Sequence, residues 1–253
     1  MAIAIKNAEQ LNLMRAAGRL TAECQRYLKN LIKPGVTTME LDAAAEQFLT
    51  DRGATPSFKG YRDFPASICA SVNDEVIHGV PGARVLKQGD IVSIDVGVYI
   101  GGFHGDASRT YAVGLIKPED EKLIAVARES FFKGMKYAVA GGHLHDISAA
   151  IQEHVEKNGF SVVRDYVGHG IGAKLHESPE IPCYRPVSRG IRLFNGMTLA
   201  IEPMVNAGSY HVDILGDNQT VVTRDGKNSA HYENTVVITN SKPELLTIID
   251  GTE

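Results

Sequence analysis

At 253 residues, with 43% hydrophobic and 22% charged side chains, the chain can bury a large core and has the composition of an ordinary soluble globular protein, so one domain over residues 1–253 is expected. A formal net charge of −4 gives no electrostatic reason to bind nucleic acid. Cys24, Cys69 and Cys183 are widely spaced with no CxxC pair, no signal-peptide pattern opens the chain, and no apolar run nears the ~20 residues a membrane span needs; a cytoplasmic protein without a membrane partner is expected.

Apolar residues at Leu13, Ala17, Leu20, Cys24, Leu28 and Leu31 recur every three or four positions and predict a helix over 7–33, stopped by Pro34 and Gly35. Thr37 and Glu40 have capping-box spacing and open a second helix that buries Leu41, Ala45, Phe48 and Leu49 before Gly53. Strands are expected over 68–72, 91–100 and 103–113, with turns at Asn73-Asp74 and around Ile100-Gly101. Helices return over 119–139 and 146–158, the latter marked by Ile147, Ile151 and Val155 and closed by Gly159. Strands follow over 161–164 and 197–205, then a hairpin of 219–223 with 230–239 across Asp225-Gly226. Helices, strands, helices, strands is the order of an α+β domain built from two similar halves, although no residue-level repeat is present.

A hairpin turning about Ile100-Gly101 would set Asp95 directly opposite Asp106. Like charges in cross-strand contact destabilise the pair unless a cation lies between them. Alternation places Ser93, Asp95 and Gly97 on one face with His104, Asp106 and Ser108, so a solvated sheet face is the competing explanation. Glu202 and Glu233 tip the balance, because each is a single charge in an otherwise apolar, strand-forming stretch. Were all four carboxylates to converge with a neutral His169, two divalent ions would neutralise them. Oxygen-rich ligation with one imidazole suits Mn, Fe, Co or Zn, and paired ions of this kind serve hydrolysis.

The segment Gly168-His169-Gly170-Ile171-Gly172 brings its third glycine one residue too early for a dinucleotide loop and lacks a βαβ setting. No GxSxG elbow, Walker loop or cysteine-protease signature is present. His78 and His176 taken singly read as packed or surface residues, as do His143, His145, His154 and His211.

In order along the chain, Asn73-Asp74-Glu75-Val76-Ile77-His78-Gly79-Val80-Pro81, Ile94-Asp95-Val96, Phe103-His104-Gly105-Asp106, Gly168 to Gly172, Leu175-His176-Glu177, Ile201-Glu202-Pro203 and Tyr232-Glu233-Asn234-Thr235 resemble the type I methionine aminopeptidases over nearly the whole length. The resemblance implies the pita-bread fold, an α+β arrangement of two pseudo-symmetric halves around a curved antiparallel sheet. It implies two divalent ions (Co, Mn, Fe or Zn) on Asp95, Asp106, His169, Glu202 and Glu233, with Asp106 and Glu233 bridging. It makes His176 the hydrogen-bond donor to the scissile carbonyl, His78 a contact to the peptide near the cleaved amide, and Glu202 the proton relay. A methionine pocket would be lined by Phe58, Tyr61, Phe64, Cys69 and Leu175; the chain departs from familiar bacterial members in having no tryptophan, Gln219 at an aromatic position and Leu175 at another. Asn73 and Ser229 resemble positions that bind a monovalent cation through backbone oxygens in some relatives. The implied partners are N-termini of nascent polypeptides, met by a monomer in transient contact with the ribosome.

Two rival functions share this site pattern. An Xaa-Pro aminopeptidase or creatinase-like enzyme usually carries a further N-terminal domain. A non-enzymatic binding protein of the same fold would have lost ligands that are all present here.

Overall fold

The computed structural model describes residues 3–249. Helix α1 (Ala8–Lys29) starts at a capping box in which the Asn7 side chain accepts from the Gln10 N–H and the Gln10 side chain accepts from the Asn7 N–H. Helix α2 (Thr38–Thr50) starts in the same way on Thr37 and Glu40. Short strands β1 (Thr55–Pro56), β2 (Cys69–Val72) and β3 (Glu75–Ile77) precede the ten-residue pair β4 (Ile91–Ile100) and β5 (Phe103–Ala112). Then come α3 (Pro118–Met135), α4 (Leu144–Lys157), β6 (Ser161–Val162), β7 (Gly168–Gly170), β8 (Glu177–Ile181), β9 (Thr198–Ile201) and β10 (Met204–Asn206). The chain finishes with β11 (Val212–Ile214), β12 (Val221–Thr223), β13 (Ser229–His231), β14 (Asn234–Val237) and β15 (Glu244–Leu245). Every pairing between these strands is antiparallel.

Each helix pair covers its own sheet. Leu20, Cys24, Leu28, Leu41, Ala45 and Leu49 pack on Ile94, Val96 and Val98, the apolar face of β4. Leu123, Phe131, Ile147 and Ile151 pack on Leu199, Ile201, Val205 and Val236. Full burial of a side chain of this size contributes about 1.5–3 kcal/mol, so each half has a substantial core of its own. α1 can lie this close to β5 because glycines meet there: a Cβ on Gly105 would be 2.8 Å from the Gly18 nitrogen.

Three sequence expectations need correction. The β4–β5 turn is Gly101-Gly102, both with positive φ (60° and 85°), which pairs Ile100 with Phe103 and moves the register by one residue on each strand. Asp95 therefore faces Ser108, and Asp106 faces Gly97; the two carboxylates are diagonal neighbours on one face instead of direct partners. The expected strand over 197–205 is two strands, β9 and β10, in different sheets, because Pro203 has no N–H to continue a ladder. Finally, β12 does not pair with the 230–239 segment; it pairs with β11 and β3, across a turn where Asp217 Oδ1 accepts from the Gln219 and Thr220 N–H groups. Strands β13 and β14 pair instead with β10 and β9.

Candidate metal centre and substrate pocket

Four strand systems deliver the acidic residues to one place. β4 and β5 carry Asp95 and Asp106, β7 carries His169, Glu202 follows β9, and Glu233 lies between β13 and β14. Ligand atoms of Asp106, His169 and Glu233 lie within 4.8 Å of one another, as do those of Glu202, His231 and Glu233. Asp95 joins the group as the diagonal neighbour of Asp106 on one face of the β4–β5 pair, close enough for its charge to raise the Asp106 carboxyl. His169 donates from Nδ1 to the Gly170 carbonyl at 2.9 Å, which leaves Nε2 as a lone pair 3.6 Å from Glu202 Oε1.

Burial is the main perturbation here. It pushes the Asp95 carboxyl up to about 7 and holds Asp106, Glu202 and Glu233 well above the usual carboxylate range, the neighbouring carboxylates adding to the shift for the last three. The same desolvation lowers His169 to about 4 and His231 to about 3, so both imidazoles are neutral at pH 7. Asp95 Oδ1, Asp106 Oδ1, Glu233 Oε1 and His231 Nε2 are all buried without a hydrogen-bond partner. Buried polar atoms are ordinarily satisfied. Four such atoms converging in one cluster, all of them carboxyl oxygens or a neutral imidazole nitrogen, fit a divalent-metal centre, where bound ions would take the place of the protons.

The turn that presents Glu233 is held by Arg109. Its guanidinium donates to the Ser108 and Glu233 carbonyls and to Asn234 Oδ1 and lies 4.3 Å over the Tyr232 ring, while the Glu233 N–H donates to the Ser108 carbonyl. Sequence reasoning gave Arg109 no role, although it is the one cation in the 91–112 hairpin. It also gives no role to His104, whose ring meets Ser57 Oγ at 2.9 Å and lies tilted against Tyr99 with ring centres 4.6 Å apart, or to His231, whose spacing of two from Glu233 is a usable same-face signal.

Beside the carboxylates, Phe58, Phe64, Cys69 and Leu175 are buried in one apolar cluster, with Tyr61 packed against it. Cys69 is the register partner of Asp95; burial, followed by the nearby carboxylates, keeps its thiol protonated and effectively apolar. His176 stacks on Tyr61 with ring centres 5.1 Å apart and lies 4.0 Å from the His169 ring, which ties the pocket to the carboxylates. Burial lowers His176 to about 3 and His78 to about 4. His78 has φ of 56°, a sparsely populated backbone conformation for a residue with a side chain, and its ring meets Tyr166 edge-on at 5.9 Å. Gln219 donates to the Arg62 carbonyl at 3.2 Å, next to the turn that carries Tyr61. The Asn73 carbonyl accepts the Ser229 N–H at 2.8 Å, bringing those two positions together as well. His154 and His145 are engaged elsewhere, with Glu129 and the Ser188 carbonyl.

Residues 12–240 match metallopeptidase family M24. A methionine aminopeptidase of Clostridium perfringens is 59% identical over 247 residues, covering 98% of this chain and 99% of that one. The crystal structure of methionine aminopeptidase from Rickettsia prowazekii superposes with a TM-score of 0.96 at 42% identity, covering 98% of this chain and 100% of that one. An Xaa-Pro dipeptidase from Bacillus anthracis superposes with a TM-score of 0.78 at 23% identity over 97% of this chain and 62% of its own, a likeness of fold alone. With its two halves, its antiparallel sheets and its converging carboxylates, the chain has the pita-bread fold and belongs to metallopeptidase family M24, among the methionine aminopeptidases.

Proposed function

We propose that the chain, acting as one catalytic unit, removes the N-terminal methionine from polypeptides whose second residue is small, by hydrolysis of the first peptide bond. The observation that carries this reading is the set of buried, unpartnered carboxyl oxygens beside the apolar cluster of Phe58, Phe64, Cys69 and Leu175. Asp95, Asp106, His169, Glu202 and Glu233 would hold two divalent ions, drawn from Mn, Fe, Co and Zn. When bound, such ions polarise a carbonyl and lower the pKa of water towards neutrality.

The chain's own residues supply the rest. Phe58, Tyr61, Phe64, Cys69 and Leu175 receive the methionine side chain. The substrate's free amine would bind on the Asp95 side of the centre, which would make the site a reader of the chain end. His176, neutral at pH 7, donates a ring N–H to the scissile carbonyl and stabilises the charge that develops on its oxygen. His78 hydrogen-bonds the peptide on the far side of the cleaved amide. Glu202, whose burial raises its proton affinity, takes a proton from the attacking water and passes it to the leaving nitrogen. A monovalent cation at the Asn73 and Ser229 carbonyls would brace the strand behind His78.

The substrates in this reading are N-termini of nascent chains, met in the cytoplasm by a monomer that contacts the ribosome in passing. Three free, buried cysteines accord with a reducing compartment. No helix among the described residues is long and apolar enough to cross a membrane. The test is release of methionine from Met-Ala-Ser by metal-stripped protein, with and without Mn, Co or Fe, beside Ala-Pro-Ala as the competing substrate. Metal-restored cleavage of Met-Ala-Ser alone is expected. Silence with every ion, or preference for Ala-Pro-Ala, refutes the assignment.

A further inference from the structure

The five side chains assigned to the metals leave one neighbour unexplained. His231 closes β13 and is 2% exposed, among the most deeply buried histidines of the chain. Its main chain is pinned on both sides of the residue: the N–H donates to Thr110 Oγ1 at 2.8 Å, and the Thr110 hydroxyl donates to the His231 carbonyl at 3.0 Å. The backbone that carries the ring is thus held in place. The ring's Nε2 is buried without a hydrogen-bond partner, and 3.8 Å separates it from Glu202 Oε2.

That distance is informative. It exceeds the 2.7–3.2 Å of an N–H···O bond, so the pair is not hydrogen-bonded. Two ligands each about 2.0–2.2 Å from a shared ion, however, can stand up to about 4.4 Å apart. The 3.6 Å between His169 Nε2 and Glu202 Oε1 falls in the same range. Glu202 is thus flanked on each carboxylate oxygen by an imidazole nitrogen at ligand-to-ligand spacing, and Glu233 completes a second donor triad with Glu202 and His231.

We propose that His231 is a sixth protein donor of the metal centre, its Nε2 joining Glu202 and Glu233 around the ion they hold. This rests on the two-ion reading above and deepens it. The centre then has two imidazoles among its donors instead of one. The softer donor set favours Mn, Fe, Co or Zn over Mg or Ca.

The test uses metal-stripped full-length protein and its His231→Gln and His231→Ala variants, titrated calorimetrically with Co(II). The loaded proteins are then examined by proton NMR for hyperfine-shifted imidazole N–H signals. Wild type is expected to take up two ions and show such signals from two histidines. Each variant should bind one ion with unchanged affinity and the other at least about tenfold more weakly, with one histidine signal gone. Circular dichroism of the metal-free proteins checks folding; where the alanine variant does not fold, the near-isosteric glutamine variant carries the result. Wild-type affinity for both ions in the variants overturns the proposal, as does a doubly loaded wild type showing signals from a single histidine. A wild type that binds fewer than two ions overturns the two-ion reading itself, and that outcome is visible without any variant.

Discussion

Raising the pH of the metal-free protein from about 6.5 to about 8 should destabilise it, and divalent metal should cancel the loss. In the fold, burial holds Asp95 at about 7 and Asp106, Glu202 and Glu233 well above the usual range. In the unfolded chain the same groups titrate near about 4. Over the interval between, the folded state keeps protons that the unfolded state has lost, so stability falls as pH rises. The buried histidines act in the opposite sense. His78, His104 and His169 are lowered to about 4 and His176 and His231 to about 3, so their contribution is complete above the unfolded value of about 6.5 and is lost as pH falls through the folded values. Above about 6.5 only the carboxylates remain to set the slope. One retained proton corresponds to about 1.4 kcal/mol per pH unit, hence about 2 kcal/mol across the interval, against a total stability of about 5–15 kcal/mol. Urea unfolding of chelator-stripped protein, followed by circular dichroism because the chain has no tryptophan, reads this directly. With two equivalents of Mn(II) the ions replace the protons and the fall should vanish. A metal-free midpoint that stays level or rises between the two pH values would refute the burial argument.

Replacing Asp106 by Ala removes a buried carboxylate from between Asp95, His169 and Glu233; methionine release should fall by more than about a hundredfold and bound metal should drop below two ions, whereas near-normal turnover with full metal would contradict its role. Gly105→Ala drives a methyl group into the α1 backbone at 2.8 Å and should cost about 1–3 kcal/mol in urea unfolding; an unchanged midpoint would show that the helix can move aside. Leu175→Ala opens the apolar pocket, so KM for Met-Ala-Ser should rise more than kcat falls, and a stability loss of about 2–5 kcal/mol should accompany it. Equal kinetic constants for this variant would place the methionine side chain elsewhere.

Elements with strong periodicity were readable from the residues alone. The apolar stripe of α1 and α2, the Thr37–Glu40 capping box and the full length of β4 lie where the spacing puts them, because local chemistry fixes each. What was not readable depended on partners distant in sequence. The short strands β7 and β8 carry little periodic signal, since they are three and five residues long and held by pairing, β7 between β9 and β8 and β8 with β7. The pairing of β12 was missed because Asp225-Gly226 looks like a hairpin turn, whereas the Asp217 turn six residues upstream of Thr223 is the one that joins paired strands. Arg109 and His231 escaped for a related reason: the contacts that tie them to the site, Arg109 to Glu233 and Asn234 and His231 to Thr110 and Glu202, are with residues far away in the sequence, up to 125 positions.

Local chemistry can be right while its location is wrong. Like charges directly opposite on paired strands were sought at Asp95 and Asp106, where the Gly101-Gly102 turn makes them diagonal instead. They occur in the second half of the chain. Ile201 pairs with Asn234 and Met204 with His231, so the two residues between on each strand bring Glu202 opposite Glu233 and Pro203 opposite Tyr232. Pro203 interrupts the ladder at that point, and the interruption is what lets β10 and β13 leave for another sheet while β9 and β14 stay. Two opposed glutamates at a forced break in a β-ribbon would be a liability in an ordinary sheet, since each repels the other and neither is well solvated. Placed against Asp106, His169 and His231, the same break supplies both the like-charge pair and the local freedom of backbone that a cluster of cation ligands requires. A strand-breaking proline directly after a buried glutamate, with a second glutamate two residues beyond a histidine on a later strand, is therefore a sequence sign of this site that needs no knowledge of which strands pair.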